Sequence, residues 1–244
     1  MDIHFKTIPA TFHHIPRTGG TSFNQWVADN IKDYEVAPQF DWKLSNANLI
    51  HNYDLIKTFW SNMGYRFAFV RNPYARVVSL YHHVGQKAEK RMVLFKQYLE
   101  NKIEPLNWKS YAYQSDNIMT AMLDDIKLLD LYNNGFDYYL HCLCNNPNEW
   151  YQKTNSRSHH LIRSYWHNDL QLNWFCGSMP DLIIKIENID VEFIQIQNMF
   201  NCHAPLPKLN VTDHEDYKSY YSEKTKKLVA KHFNNDLTAF GYSF

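Results

Sequence analysis

Glycine is scarce in this chain, at seven of 244 residues. Two of the seven are adjacent, Gly19 and Gly20, and mark a point where backbone geometry demands them. Cysteine is also sparse. Cys142, Cys144, Cys176 and Cys202 include no Cys-x-x-Cys pair, so neither a zinc ribbon nor a thioredoxin-like redox pair is written here, and reduced thiols are expected. Net charge is absent, with 25 Lys plus Arg against 25 Asp plus Glu. An overall field steering the chain to nucleic acid or an anionic membrane is therefore missing, and no nucleic-acid partner is expected. No apolar run reaches the roughly 18 residues that a transmembrane helix needs. Met1 to Ala10 carries Asp2, His4 and Lys6 and has no apolar core of a secretory signal. The expectation is a soluble, cytoplasmic chain.

The composition is that of a globular protein: 45% apolar, 16% aromatic and 20% charged. It excludes a disordered tail, a collagen and a coiled coil. The length lies between one and two domains, and with no linker or repeat the chain reads as one domain over residues 1–244.

Strand and helix signals alternate. Thr11 to Ile15 is a β-type run stopped by Pro16, and helical spacing begins at Ser22 with Phe23, Trp26 and Val27. A short strand is expected at residues 34–37 and a helix at 54–62. Arg66 to Val70 is a nearly continuous apolar strand. Asn72-Pro73 then offers a helix start. Beyond it, Val77, Leu80, Tyr81 and Val84 share an apolar face, with Asn72, Arg76, Ser79 and His83 opposite. The middle of the chain is mostly helical. Leu182 to Ile186 is a third strand, a helix is expected from Val191 to Phe200, and Ser222 caps a last helix. The pattern predicts an α/β fold of three layers, with a mostly parallel central sheet flanked by helices.

Two constellations carry chemistry, each at the end of a strand. In Pro16-Arg17-Thr18-Gly19-Gly20-Thr21-Ser22, the glycines let backbone wrap a ligand, and the helix start presents N–H groups to an anion. Thr21 and Ser22 add hydroxyls, and Arg17 adds a forked cation. This phosphate cradle is not a Walker A loop, because no Gly-Lys-Ser/Thr follows. The second constellation is Arg71 at the end of a buried strand, where open α/β sheets bind ligands, with Ser79 on the polar face of the next helix. Alone, the first segment is equally well explained as a turn plus a capped helix, and the second is better explained by an arginine that caps or pairs locally and a solvated serine; their joint occurrence favours an anion site.

These segments resemble the carbohydrate sulfotransferases that use 3′-phosphoadenosine 5′-phosphosulfate, the group that includes heparan sulfate 2-O-sulfotransferase. Ile15 to Ser22 resembles their 5′-phosphosulfate loop, and Phe69 to Tyr81 resembles their 3′-phosphate motif. Ile184 to Ile189 and the tail, including Asp236 and Phe240-Gly241-Tyr242, are similar in style. The resemblance implies a P-loop-type fold and the phosphosulfate as donor, with no metal. It implies that Arg17, Thr18, Gly19, Gly20, Thr21 and Ser22 bind the 5′-phosphosulfate, and that Arg71 and Ser79 bind the 3′-phosphate. Arg17 stands where many members carry Lys. The charge is kept, but a proton donor to the leaving group is lost. The position of His51, twenty residues before Arg71, resembles that of the catalytic base, and an imidazole suits that task near neutral pH. His13 and His14 are alternatives beside the cradle.

The expected reaction is sulfuryl transfer to a hydroxyl of a saccharide or glycan. The chain has only seven arginines, which gives a long polyanionic glycan little to grip. A small or lipid-linked saccharide, and a microbial or viral enzyme, fit better. Two rivals stand: a small-molecule kinase that needs Mg-ATP, and a nucleotide- or glycan-binding module that binds without turnover.

Overall fold

The computed structural model describes residues 3–36, 64–100, 118–145, 170–175, 178–209 and 214–244. The expected helix at 54–62, His51 and Cys176 lie outside them. Contacts group the chain into two compact units. The first holds residues 1–72, 170–211 and 235–243; the second holds 73–169, 212–234 and Phe244.

The first unit is built on a five-stranded sheet. Its strands are β1 (Ile3–Phe5), β2 (Ala10–His13), β3 (Tyr34–Val36), β4 (Tyr65–Val70) and β5 (Leu182–Lys185), in the spatial order β3-β1-β2-β4-β5. The three strands legible from apolar runs, β2, β4 and β5, pair in parallel, with Phe12 opposite Phe67 and Phe69 opposite Ile184. Their C-terminal ends therefore lie at one edge of the sheet. β1 and β3 extend it in antiparallel fashion. β1 was not expected; three residues are too few to show an alternation.

Side chains alternate across the pleat. Phe12, Phe67, Phe69 and Ile184 point to one face, where helix α1 (Gly20–Asn30) packs with Phe23, Trp26 and Val27. Ala68, Val70 and Ile183 point to the other, against Phe175 and Phe240. The unit is thus a sheet between two layers of helix, the α/β arrangement expected. The first face is aromatic: the Phe23 ring lies 4.4 Å from Phe12 and 5.3 Å from Phe69. Each ring so buried contributes about 1.5–3 kcal/mol.

The helix expected from Val191 starts earlier, at Ile189. After the helical segment Ile189–Glu192 the run is interrupted at Phe193, and a further helix covers Ile194–Met199. Phe193 keeps right-handed helical φ and ψ, −63° and −20°, and is buried with its ring 5.2 Å from Trp26. A last helix of this unit, formed mainly by its residues 235–240, covers Asn234–Phe240.

The second unit is helical, with long helices at Pro73–Leu99 and Ile118–Asn133 and shorter ones at Phe136–Asn145 and Glu223–His232. A Cβ at Gly85 would overlap the Tyr132 ring, so glycine lets the two long helices approach closely. The Tyr81 hydroxyl donates to the Tyr132 carbonyl at 2.8 Å. Ser222 caps the helix Glu223–His232 as expected, in a reciprocal box with Thr225, but the helix at Asn234–Phe240 follows it, so it is not the last. Arg76 and Ser79, expected on the polar side of the first long helix, are both buried.

Candidate functional site

The cradle forms where β2 ends. Thr18 is fully buried and its hydroxyl donates to the Ile15 carbonyl at 2.9 Å, closing the turn. Gly19 is the N-cap of α1 with φ 88°, a left-handed conformation that suits glycine. A Cβ there would also lie 2.7 Å from Ile186 Cδ1, just past β5. At Gly20 a Cβ would overlap the His14 imidazole. Both glycines are therefore required, one by φ and one by close approach. The first turn of α1 contains no acidic residue and Gly19 gives no side-chain cap, so the positive end of the helix dipole there favours an anion. Thr21 is exposed at this end, and Ser22 is buried, its hydroxyl accepting from the Leu209 amide at 3.0 Å.

Arg17 sits at the lip of the cradle with φ 68°, a conformation that costs a non-glycine residue energy and tends to occur at functional sites. Its carbonyl accepts from Arg71 Nη1 at 3.4 Å. Two guanidinium-bearing residues from adjacent strand ends are thus held together. Burial, and then the charge of Arg71, lower Arg17 to about 10, so it remains a cation at neutral pH. Burial lowers Arg71 too, opposed by Glu187 and then Tyr242. Each lowered value reflects partial burial, which disfavours the charged form.

Arg71 is the first residue beyond β4, and its backbone is held by side chains. Gln171 Oε1 accepts from the Arg71 amide at 2.9 Å, and Gln171 Nε2 donates to the Arg71 carbonyl at 2.8 Å. Asp236 is fully buried and accepts from the Gln171 amide at 2.7 Å and the Leu172 amide at 3.1 Å. Glu187 Oε1 accepts from the Asn72 amide at 2.7 Å, while the Tyr242 hydroxyl donates to Glu187 Oε2 at 2.7 Å. Burial first, and then Glu187, push the Tyr242 hydroxyl well above its ordinary range. The Asn72 side-chain amide donates to the Ser243 carbonyl at 2.8 Å.

Of the expected site residues, Arg17, Thr18, Gly19, Gly20, Thr21, Ser22 and Arg71 all belong to the first unit, at the C-terminal ends of β2 and β4. Ser79 belongs to the second unit, buried on its first long helix. His51 lies outside the described residues. Gln171, and the roles of Asp236, Glu187 and Tyr242 around Arg71, were not read from the sequence. Among the described residues, no group of three or more His, Cys, Asp or Glu could hold a metal ion, and no helix is long and apolar enough to cross a membrane.

Comparison with known proteins gives one finding. A family model described as the sulfotransferase family matches residues 7–243, nearly the whole chain. No curated protein and no solved structure matches it.

Proposed function

The chain belongs to the sulfotransferase family, and we propose that it transfers a sulfuryl group from 3′-phosphoadenosine 5′-phosphosulfate to a saccharide hydroxyl, acting as one domain over residues 1–244. The observation that carries this reading is the pairing of Arg17 and Arg71 at neighbouring strand ends, beside a glycine cradle whose two glycines admit no side chain. Two partly buried cations beside the start of a helix are the donor set that a phosphate-rich nucleotide needs.

In this reading the 5′-phosphosulfate is bound by Arg17, by the backbone of Thr18 to Ser22, and by the hydroxyls of Thr21 and Ser22. Arg71 and Ser79 bind the 3′-phosphate. The donor supplies an activated sulfur on a phosphate leaving group, so the bond to the acceptor oxygen forms as the bond to the phosphate oxygen breaks. His51 takes the proton of the acceptor hydroxyl. Arg17 gives no proton; it and the loop amides offset the charge left on the phosphate electrostatically. The cradle also fixes the direction of attack, and alignment of this kind supplies a large share of the acceleration.

Thermal unfolding with adenosine 3′,5′-bisphosphate, AMP or Mg-ATP tests the reading. A ligand at a hundred times its Kd stabilises by about 2.7 kcal/mol, which at this chain length raises Tm by roughly 5–10 °C. The expected result is a shift with the bisphosphate that AMP and Mg-ATP do not match. A shift with Mg-ATP alone would identify a kinase, and no shift with the bisphosphate would refute the donor assignment. Binding without turnover on any saccharide would leave a binding module. His51→Ala should lower turnover more than donor affinity; a loss of donor affinity alone would remove His51 from the base role.

A further inference from the structure

β4 stops pairing at Val70, which lies opposite Lys185. Beyond that point the peptide groups of Arg71 and Asn72 have no ladder to join, yet buried N–H and C=O groups need partners. Side chains from remote segments take the place of a neighbouring strand. One primary amide, Gln171, satisfies both the N–H and the C=O of Arg71. Asp236 then fixes Gln171 twice, accepting from its backbone amide at 2.7 Å and from its Nε2 at 3.4 Å. This sets which end of the Gln171 amide faces the Arg71 N–H. Glu187, itself held by the Tyr242 hydroxyl, takes the next N–H, that of Asn72. Gln171 and Asp236 are both fully buried. A buried polar pair is costly unless every member is bonded, and here the free end of the pair is spent on the backbone of one arginine.

We infer that Gln171, backed by Asp236, is a positioning residue that fixes Arg71 to receive the 3′-phosphate of the donor, with Glu187 and Tyr242 steadying the peptide that follows. The inference rests on the donor reading above. An arginine on a loose strand end would sample many directions; one with its own peptide clamped on both sides meets a phosphate with less freedom to lose. Gln171 donates no bond to the ligand in this role. Its effect should therefore be confined to the group that Arg71 grips.

The test compares the Kd of adenosine 3′,5′-bisphosphate with that of AMP, which lacks the 3′-phosphate, in the wild type, Arg71→Ala, Gln171→Met and Tyr242→Phe. Wild type is expected to prefer the bisphosphate by roughly tenfold or more. Gln171→Met should bring that preference down to the level of Arg71→Ala and leave AMP binding unchanged. A merely structural role would weaken both ligands together. Full preference in a folded Gln171→Met protein overturns the inference. If that variant does not fold, Tyr242→Phe decides, since it removes one oxygen and keeps the ring. Reduced preference with intact AMP binding supports the inference, and unchanged preference overturns it. A wild type with no preference for the bisphosphate overturns the donor reading itself, and the positioning role falls with it. That result is distinct from preference lost in Arg71→Ala but retained in the clamp variants.

Discussion

Gly20→Ala sets two effects of opposite sign against each other. Gly20 opens α1, and in a helix alanine is favoured over glycine by up to ~1 kcal/mol. Propensity alone therefore predicts a more stable protein. The new methyl, however, would overlap the His14 ring, whose Cγ lies 3.0 Å from the Cβ position and whose other two contacting atoms are closer. Either the imidazole leaves its place beside Phe12, where the ring centroids are 6.3 Å apart, or the first turn of α1 shifts. Overpacking of this kind costs about 1–3 kcal/mol. The net expectation is a loss of about 1 kcal/mol, or a fall in Tm of about 2–4 °C for a chain of this size. The decisive assay is a double-mutant cycle, with thermal and urea unfolding of wild type, Gly20→Ala, His14→Ala and the double variant. With the imidazole gone only propensity remains, and Gly20→Ala should become neutral or stabilising. An equal cost in both backgrounds would refute overlap with His14 as the reason for glycine. Gly19→Ala is the contrast: its φ of 88° costs about 1–2 kcal/mol whatever space is cleared, so shortening Ile186 should not rescue it.

Arg17→Ala should reduce sulfuryl transfer by about 10²- to 10³-fold, the usual cost of losing one charge-stabilising donor, while Arg17→Lys keeps the cation and more of the rate; unchanged turnover in Arg17→Ala would remove Arg17 from the mechanism. Asp236→Ala strips the acceptor from two amides, at about 1–3 kcal/mol each, a large part of the ~5–15 kcal/mol that a domain has. Its urea midpoint should fall far below that of Asp236→Asn, which keeps one oxygen, and equal midpoints would contradict the assigned bonds. Burial pushes Tyr221, and burial with Glu187 pushes Tyr242, well above the ordinary phenol range. The unfolded chain ionises tyrosine near ~10, so the stability these groups contribute is complete below that pH and is lost as pH rises past it. Urea midpoints should drop between pH 9 and pH 11, and less in a Tyr221→Phe, Tyr242→Phe double variant; identical slopes would count against the assignment. Burial also raises the Cys144 thiol to about 12, so iodoacetamide at pH 8.5 should leave Cys144 unlabelled in the native protein, as peptide mapping can check.

The parallel centre of the sheet was legible because its strands are apolar on both faces. Phe67 and Phe69 meet α1 while Ala68 and Val70 meet Phe175 and Phe240, and a strand so covered must read as a continuous apolar run. The cradle was legible for a related reason. A backbone that needs one left-handed residue and one bare Cα leaves two adjacent glycines in a chain that otherwise avoids them. β1 and β3 were harder, being three residues each at the antiparallel side of the sheet, where burial is uneven. That Arg76 and Ser79 share one side of their helix was legible from spacing; that both are buried there was not. Periodicity tells which residues share a face, whereas burial depends on what covers that face.

The support around Arg71 was not legible, and the reason is distance along the chain. Gln171 lies 100 residues from Arg71, Asp236 lies 65 residues from Gln171, and Tyr242 lies 55 from Glu187. Glu187, Asp236 and Tyr242 stand in segments that resemble the family, but nothing in their local sequence tells which groups they bond. A lone Gln beside a 3₁₀ turn or a lone Asp in a short helix carries meaning only once the fold brings a bare strand end to it. The residues proposed to contact the donor can be read locally because a phosphate cradle demands a local geometry: two glycines, a helix start, a cation. The residues that hold them answer instead to the unpaired peptides where β4 runs out. The same argument gives the expected pattern of failure under substitution. Changes in the cradle should alter what is bound, and changes at Asp236 should alter whether the strand end survives. Gln171 joins the two, bonded to Asp236 on one side and to Arg71 on the other, and so is the position where a loss of ligand discrimination can be separated from a loss of fold.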